Sequence, residues 1–255
     1  MGKKGKVGRL KRKPAPRFWP IHRKEAVWIV RPSSGPHSLK NCLPLALVLR
    51  DILEIAETRK EAKKIISQGK VYVDGKVRLK DDFPVGLMDV ISIPDLNEFY
   101  RVLPSHKGLF LSPISKEEAS FKLLKVEGKT KVKNGTSQVS LHDGSNMLVK
   151  VEDSENLSEV NYETFDTLKL GLPEKEVLDQ VKTKKGNMAI ITGGKNIGKQ
   201  GKIIEIEKTE AKKRRNALVV IEDAQGNRYQ TILDFVFSVG GAKSLVTLQE
   251  ATAFV

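Results

Sequence analysis

The sequence predicts an α+β chain of several small domains, and three observations carry that prediction. Helical spacing and a helix-to-hairpin transition fall within residues 43–93. Short alternating apolar runs broken by turn dipeptides occupy the chain from Leu109 onward. Positive charge gathers in two separate stretches. At 255 residues the chain is long enough for two or three modest cores, and a hydrophobic content of 39% is compatible with folding.

The charge distribution points to a class of partner. The formal charge is +14, but residues 1–40 hold 12 Lys/Arg against Glu25 alone, a net +11, and residues 182–215 hold 11 against 3, a net +8, leaving −5 for the remainder. Charge this polarised signals a polyanion met at particular segments. A membrane-surface protein would need amphipathic periodicity at the N-terminus, which is missing. No apolar run reaches about 18 residues, so no membrane span is expected. The Met-Gly-Lys-Lys start lacks the apolar core of a signal peptide and the Ser/Thr of a myristoylation signal. Cys42 is the only cysteine, which excludes an internal disulfide or thiolate metal cluster and suggests a reducing compartment.

Residues 1–42 read as a basic extension rich in Pro and aromatic residues. Gly2, Gly5, Gly8, Pro14, Pro16, Pro20, Pro32, Gly35 and Pro36 break every candidate helix. Phe18, Trp19, His22 and Trp28 are interleaved with cations, so the arm is expected to be extended and disordered in isolation and to order on RNA. Its candidate contacts are Lys3, Lys4, Lys6, Arg9, Lys11, Arg12, Lys13, Arg17, Trp19, Arg23 and Lys24. The alternative is that its aromatics pack back on the first domain.

Leu45, Val48, Leu49 and Ile52 follow helical spacing and predict a core helix from Leu43 to about Ile55. A second helix follows. Thr58 and Glu61 have capping-box spacing, Gly69 can close the helix, and Ala62, Ile65 and Ile66 share a face opposite Arg59, Lys60, Lys63 and Lys64. Val71 and Val73 then alternate with Lys70 and Tyr72, and Asp74-Gly75 favours a two-residue hairpin turn. Lys70, Lys76 and Arg78 extend the cationic surface. Cations spread over a helix and an adjoining hairpin can meet successive phosphates of a folded RNA without reading bases, whereas a solvated helix face is the plain alternative. Short strands through Val90–Ile93 close this part. His37 and Cys42 lack a visible base, orienting acid or second ligand, so both are read as structural.

Gly128, Asn134-Gly135, Asp143-Gly144 and Asn156 punctuate the stretch to about Lys169, predicting a central β-rich domain with hairpins at Asn134-Gly135 and Asp143-Gly144. Ser115 and Glu118 suggest one helix from Ser115 to about Leu124. His142-Asp143 reads as turn chemistry because no third partner accompanies it. Farther on, Ala189–Ile191, Ile203–Ile206, Leu218–Ile221 and Tyr229–Ile232 read as strands, with a turn at Gln225–Asn227. The loop Gly194-Lys195-Asn196-Ile197-Gly198-Lys199 lacks the spacing of a nucleotide-binding P-loop and leads into a strand.

Several of these stretches resemble known modules. Thr58-Arg-x-x-Ala-x-x-x-Ile, Gly69-x-Val-x-Val-Asp-Gly75 and Pro84-x-Gly86-x-x-Asp89-Val-Ile91 resemble the αL RNA-binding module named after bacterial ribosomal protein S4. The glycine and lysine pattern of residues 186–206 resembles the KOW motif that opens a small SH3-like barrel, placing Lys195, Lys199 and Lys202 as phosphate contacts. The order of parts, with Leu10-Lys-Arg12, Ser34-Gly-Pro-His37, Leu49-Arg-Asp51, Phe83–Ile91, Tyr100-Arg-Val-Leu103 and Leu141-His-Asp-Gly-Ser-Asn146, resembles the S4e ribosomal proteins of archaea and eukaryotes from about residue 8 to about 240.

That resemblance implies a division into residues 1–42 (arm), 43–105 (RNA-binding module), 106–175 (central β-rich domain), 176–240 (SH3-like barrel) and 241–255 (tail). It implies a structural constituent of the small ribosomal subunit, cytoplasmic within the ribosome. Its partners would be small-subunit ribosomal RNA and neighbouring ribosomal proteins. It implies no membrane, small-molecule substrate, cofactor, metal or catalytic residue. The alternatives are an RNA-modifying enzyme or a transcription factor using the same modules. An enzyme would need a positioned nucleophile or base, and none is evident.

Overall fold

The computed structural model describes residues 9–132, 136–150, 162–207 and 214–248. Lys3, Lys4, Lys6, the expected turn at Asn134-Gly135 and most of the polar run Glu152–Asp166 lie outside them. The chain divides into two compact units. The first comprises residues up to Leu103 with Lys107–Ala119, and the second comprises Pro104–His106 with the chain from Ser120.

The first unit begins with a short antiparallel pair, β1 (Leu10–Lys11) and β2 (Trp28–Ile29). Here the expectation of an extended arm is corrected. Ala15, Trp19, Ile29 and Val30 are buried in the same cluster as Leu43, Leu45, Ala62 and Ile66. Apolar side chains placed between the prolines give the segment enough burial to fold back. The Trp19 indole N–H donates to the Cys42 carbonyl at 2.9 Å, so its polar end is satisfied inside the core.

β3 (Cys42–Pro44) pairs with β6 (Pro84–Gly86), setting Leu43 opposite Val85. The helix expected from Leu43 therefore starts at Leu45. It runs as α1 (Leu45–Leu47) and continues as a wider π-helical turn over Val48–Ile52. α2 (Arg59–Ser67) starts with both halves of the capping box. Thr58 Oγ1 accepts from the Glu61 N–H at 3.3 Å, and the Glu61 carboxylate accepts from the Glu57 and Thr58 N–H groups at 3.0 and 3.4 Å. A hydrogen bond from the Thr58 side chain to the carboxylate, followed by those from the Glu57 and Thr58 N–H groups, holds the Glu61 carboxyl below its ordinary value.

β4 (Tyr72–Val73) and β5 (Lys76–Val77) form the hairpin, with φ of 53° at Asp74 and 72° at Gly75, as a type I′ turn requires. With β7 (Val90–Ile93), β8 (Glu98–Ser105) and β9 (Gly108–Pro113) they make a sheet ordered β5-β4-β7-β8-β9. Arg101 on β8 is 0% exposed. Its guanidinium lies 3.3 Å from the Glu118 carboxylate and donates to the Glu118 carbonyl at 2.9 Å. A buried charge is tolerated when paired and hydrogen-bonded in this way.

The second unit holds two five-stranded antiparallel sheets. One is ordered β12-β11-β10-β13-β14, from β10 (Phe121–Lys131), β11 (Thr136–Leu141), β12 (Asn146–Lys150), β13 (Thr167–Gly171) and β14 (Val177–Val181). The helix expected over Ser115–Leu124 is absent. Ser115 Oγ accepts from the Glu118 N–H at 3.2 Å, but a single 3₁₀ turn over Glu118–Ser120 follows and the chain enters β10. As the central strand, β10 buries every residue from Phe121 to Val126, and pairing on both sides overrides the local helix signal.

The other sheet is ordered β18-β17-β16-β15-β19, from β15 (Met188–Ile191), β16 (Gln200–Glu207), β17 (Leu218–Glu222), β18 (Arg228–Ile232) and β19 (Val236–Gly240). Ile191, Ile203, Val219, Ile221, Leu233 and Val236 fill its core. A register shift between Ile203 and Glu205 bends β16. Among the described residues β18 and β19 are edges that do not pair with each other, so this is an open sheet rather than a closed barrel. At Gly201 a Cβ would lie 2.1 Å from the Glu222 carbonyl oxygen, so only glycine permits this approach of β16 to β17.

Candidate nucleic-acid interface

α2 separates its faces as the spacing predicts. Ala62 and Ile66 are buried, while Arg59, Lys60, Lys63 and Lys64 are exposed. Asp81 takes Arg59, whose Nε and Nη2 lie 3.0 and 2.9 Å from Oδ2. Lys60, Lys63 and Lys64 have no carboxylate within ion-pair distance among the described residues. On the hairpin Lys76 is exposed, whereas Lys70 pairs with Asp95 at 2.9 Å. Arg78 is half-buried with its guanidinium 4.1 Å from the Phe83 ring centroid. The outward set is thus narrower than the charge run suggested.

The arm sorts its cations more sharply. Arg9, Lys11, Lys13, Arg17 and Lys24 are exposed. Arg12 and Arg23 instead brace the fold. The buried Arg12 guanidinium donates to the His22 carbonyl at 2.6 Å and to the Glu25 carboxylate at 2.9 Å. Arg23 donates to the carbonyls of Arg12, Lys13, Ala15 and Pro16 at 2.8–3.1 Å. A planar fork with five donors suits such a multiple clamp. Trp19 is 3% exposed and unavailable for stacking, while Trp28, the tryptophan that the sequence did not single out, is 52% exposed. Nothing in the sequence pattern distinguishes the two.

In the second unit Lys195, Lys199 and Lys202 are exposed on and beside the loop joining β15 to β16. The loop is closed at its base, where the Gly198 N–H donates to the Ile191 carbonyl at 2.8 Å and the Ile191 N–H to the Lys199 carbonyl at 2.9 Å. Lys199 Nζ lies 5.6 Å from the Tyr229 ring centroid.

Other lysines are internal. Lys125 Nζ donates to the carbonyls of Asp234 and Val236 at 2.6 and 3.0 Å, and burial pushes its pKa down to about 8. Lys122 and Lys175 flank Asp143 at 3.8 and 3.1 Å. Burial alone would raise the Asp143 carboxyl. Hydrogen bonds from the Ser145 hydroxyl and N–H, with the two ammonium charges, outweigh it and bring the pKa to about 2. Asp143 thus orders a turn, as expected of His142-Asp143. His142 accepts from the Lys125 N–H through Nδ1 at 3.2 Å.

One partner was invisible in the sequence. His37, read as lacking an acid, is buried with Nε2 3.1 Å from Asp89 Oδ1. Cys42 lies on the strand paired with Gly86, whose N–H donates to the other Asp89 oxygen at 2.8 Å. The trio does not make an activated nucleophile. Burial first, and the Asp89 charge second, push the Cys42 thiol up to about 12, and a protonated thiol does not attack. Among the described residues no group of three or more His, Cys, Asp or Glu could hold a metal ion, and no helix is long and apolar enough to cross a membrane.

Known proteins match along the chain. Residues 4–40 fit the RS4NT (NUC023) domain, 44–91 the S4 domain and 96–177 the Ribosomal family S4e. The small ribosomal subunit protein eS4 of Desulfurococcus amylolyticus is 48% identical over 251 residues, covering 98% of this chain and 99% of that protein. Its counterpart in Methanocaldococcus jannaschii is 44% identical over 252 residues, covering 97% and 100%. The crystal structure of the 30S ribosomal protein S4e from Thermoplasma acidophilum superposes with a TM-score of 0.65 at 32% identity, covering 81% of this chain and 99% of that one. Likeness of this degree, continuous from the arm through both units, shows that the chain belongs to the ribosomal S4e family.

Proposed function

We propose that the chain is a structural constituent of the small ribosomal subunit, in the cytoplasmic ribosome, that holds small-subunit rRNA and touches neighbouring small-subunit proteins. The observation that carries this reading is α2, a helix capped at its start, anchored by Ala62 and Ile66, and presenting Lys60, Lys63 and Lys64 to solvent with no carboxylate within ion-pair distance among the described residues. Such a face suits phosphates at fixed spacing and reads no bases.

Around it we place the exposed arm cations Arg9, Lys11, Lys13, Arg17 and Lys24 and the hairpin Lys76 as further phosphate contacts. Lys195, Lys199 and Lys202 form a separate group. The division into residues 1–42, 43–105, 106–175, 176–240 and 241–255 belongs to the same reading, with 176–240 as an SH3-like KOW module. Its glycine loop lets RNA come close to backbone amides. The role is architectural rather than enzymatic, because dispersed cations hold RNA segments in one arrangement and none sits beside an activated nucleophile.

Sucrose-gradient fractionation of a lysate tests the proposal. The protein is expected to migrate with small subunits and to stay there through a high-salt wash. Migration as free protein in low salt would overturn it.

A further inference from the structure

We propose that Trp28 is a stacking platform for an unpaired base of RNA, an assignment that rests on the RNA-binding reading above and extends it from phosphates to a base. Side chains alternate across the β1–β2 pair. Leu10 and Ile29 face the core, which leaves Arg9, Lys11 and Trp28 on the outer face. Lys11 stands opposite Trp28 in the register. The Arg9 guanidinium carbon and Lys11 Nζ lie 6.0 and 5.9 Å from the Trp28 ring centroid. An indole half in water is therefore flanked by two cations.

That combination selects among occupants. An apolar protein surface would cover the indole but strip water from both cations without replacing it. A nucleotide supplies a flat ring for the indole and phosphates for the cations, and every base has a face that can stack. The strand is held ready for this. The Arg12 N–H donates to the Val27 carbonyl at 3.0 Å, and the Arg12 and Arg23 guanidinium groups tie the intervening loop together. Little has to be ordered at the moment of contact.

The two tryptophans make the experiment direct. Trp19 is enclosed, so a change in emission on adding RNA reports Trp28. The full-length chain is titrated with deproteinised small-subunit rRNA from its own organism. Quenched emission is expected, with Trp28→Ala weakening binding roughly 5- to 150-fold. Trp28→Phe should weaken it less, and both should leave the salt slope unchanged. The pair Arg9→Gln and Lys11→Gln should instead flatten the slope by roughly 0.7–0.9 per lost phosphate contact. Unquenched emission with unchanged affinity for Trp28→Ala overturns the assignment. So does quenching that appears in assembled subunits but not on naked rRNA, because the indole is then covered by protein. If Trp28→Ala is neutral while changes at Lys60, Lys63 and Lys64 still weaken binding, only the Trp28 assignment fails. If the unaltered chain does not bind rRNA, the functional reading fails with it.

Discussion

The loop from Arg12 to Glu25 and the helix α2 are equally basic to the eye, yet they use their cations in opposite ways. In the loop, Arg12 and Arg23 turn inward onto backbone carbonyls, and the arm becomes part of the first core. On α2, Lys60, Lys63 and Lys64 remain in water. Side-chain chemistry explains the division. In the loop two guanidinium groups satisfy several carbonyls at once in a fixed geometry, whereas the α2 ammonium groups keep their water. Lys125 in the second unit shows that an ammonium can also turn inward onto carbonyls. Lys/Arg density therefore measures a stretch's positive charge without measuring how much of it a polyanion can reach.

The largest expected effect tests the inward half of this contrast. Arg23→Ala removes four charge-assisted hydrogen bonds and should destabilise the protein by about 3 kcal/mol in urea unfolding, with Arg23→Lys recovering less than half. A loss below about 0.5 kcal/mol would mean that Arg23 is a surface cation after all.

A somewhat smaller effect separates inward from outward lysines. Lys125 has its pKa depressed to about 8 in the fold, against about 10.4 in an unfolded chain. Between these values the unfolded chain binds more protons, so this group makes stability rise with pH. Relative to Lys125→Met, the unaltered protein should gain about 1.5 kcal/mol between pH 8 and pH 9.5, read from urea midpoints at each pH. The neutral amine still has two hydrogens for the carbonyls of Asp234 and Val236. A flat difference would show that Lys125 titrates like a surface lysine.

The smallest effect on the fold belongs to the outward set. Combined charge reversal of Lys60, Lys63 and Lys64 should leave the urea midpoint where it is. It should weaken rRNA binding and reduce the salt slope by roughly 0.7–0.9 per contact removed. An unchanged slope would separate these lysines from phosphate.

The same contrast marks what could be read from the sequence. Local signals survived intact: the Thr58–Glu61 capping box, the Asp74-Gly75 and Asp143-Gly144 turns, and the alternating runs that became β15 to β18. Each depends on neighbours in the chain. The misses depend on distant partners. Ser115 and Glu118 made half of a cap, but β10 was claimed by β11 and β13 on either side. Pro44 was expected inside a helix and instead ends a strand opposite Pro84. Trp19 and Trp28 have similar basic surroundings in the sequence, and only the docking of the arm decides which is enclosed. The outward placement of Lys60, Lys63 and Lys64 was legible in the helical spacing, whereas the inward turn of Arg12, Arg23 and Trp19 was not, because their partners are distant in the chain.

The Arg101–Glu118 pair bears on how the chain is made. Arg101 is enclosed on β8, and its carboxylate arrives 17 residues later, at the last turn of the first unit. A nascent chain stalled before Glu118 would hold a guanidinium in its half-built interior without that counter-charge, a costly state that keeps the unit open. Once Ala119 has left the exit tunnel, every residue of the unit is present, and the end of the second unit has still to be translated. The counter-charge of Arg101 is thus among the last residues of its unit to be made, so the first core can close only late in its own synthesis, before the second unit is complete.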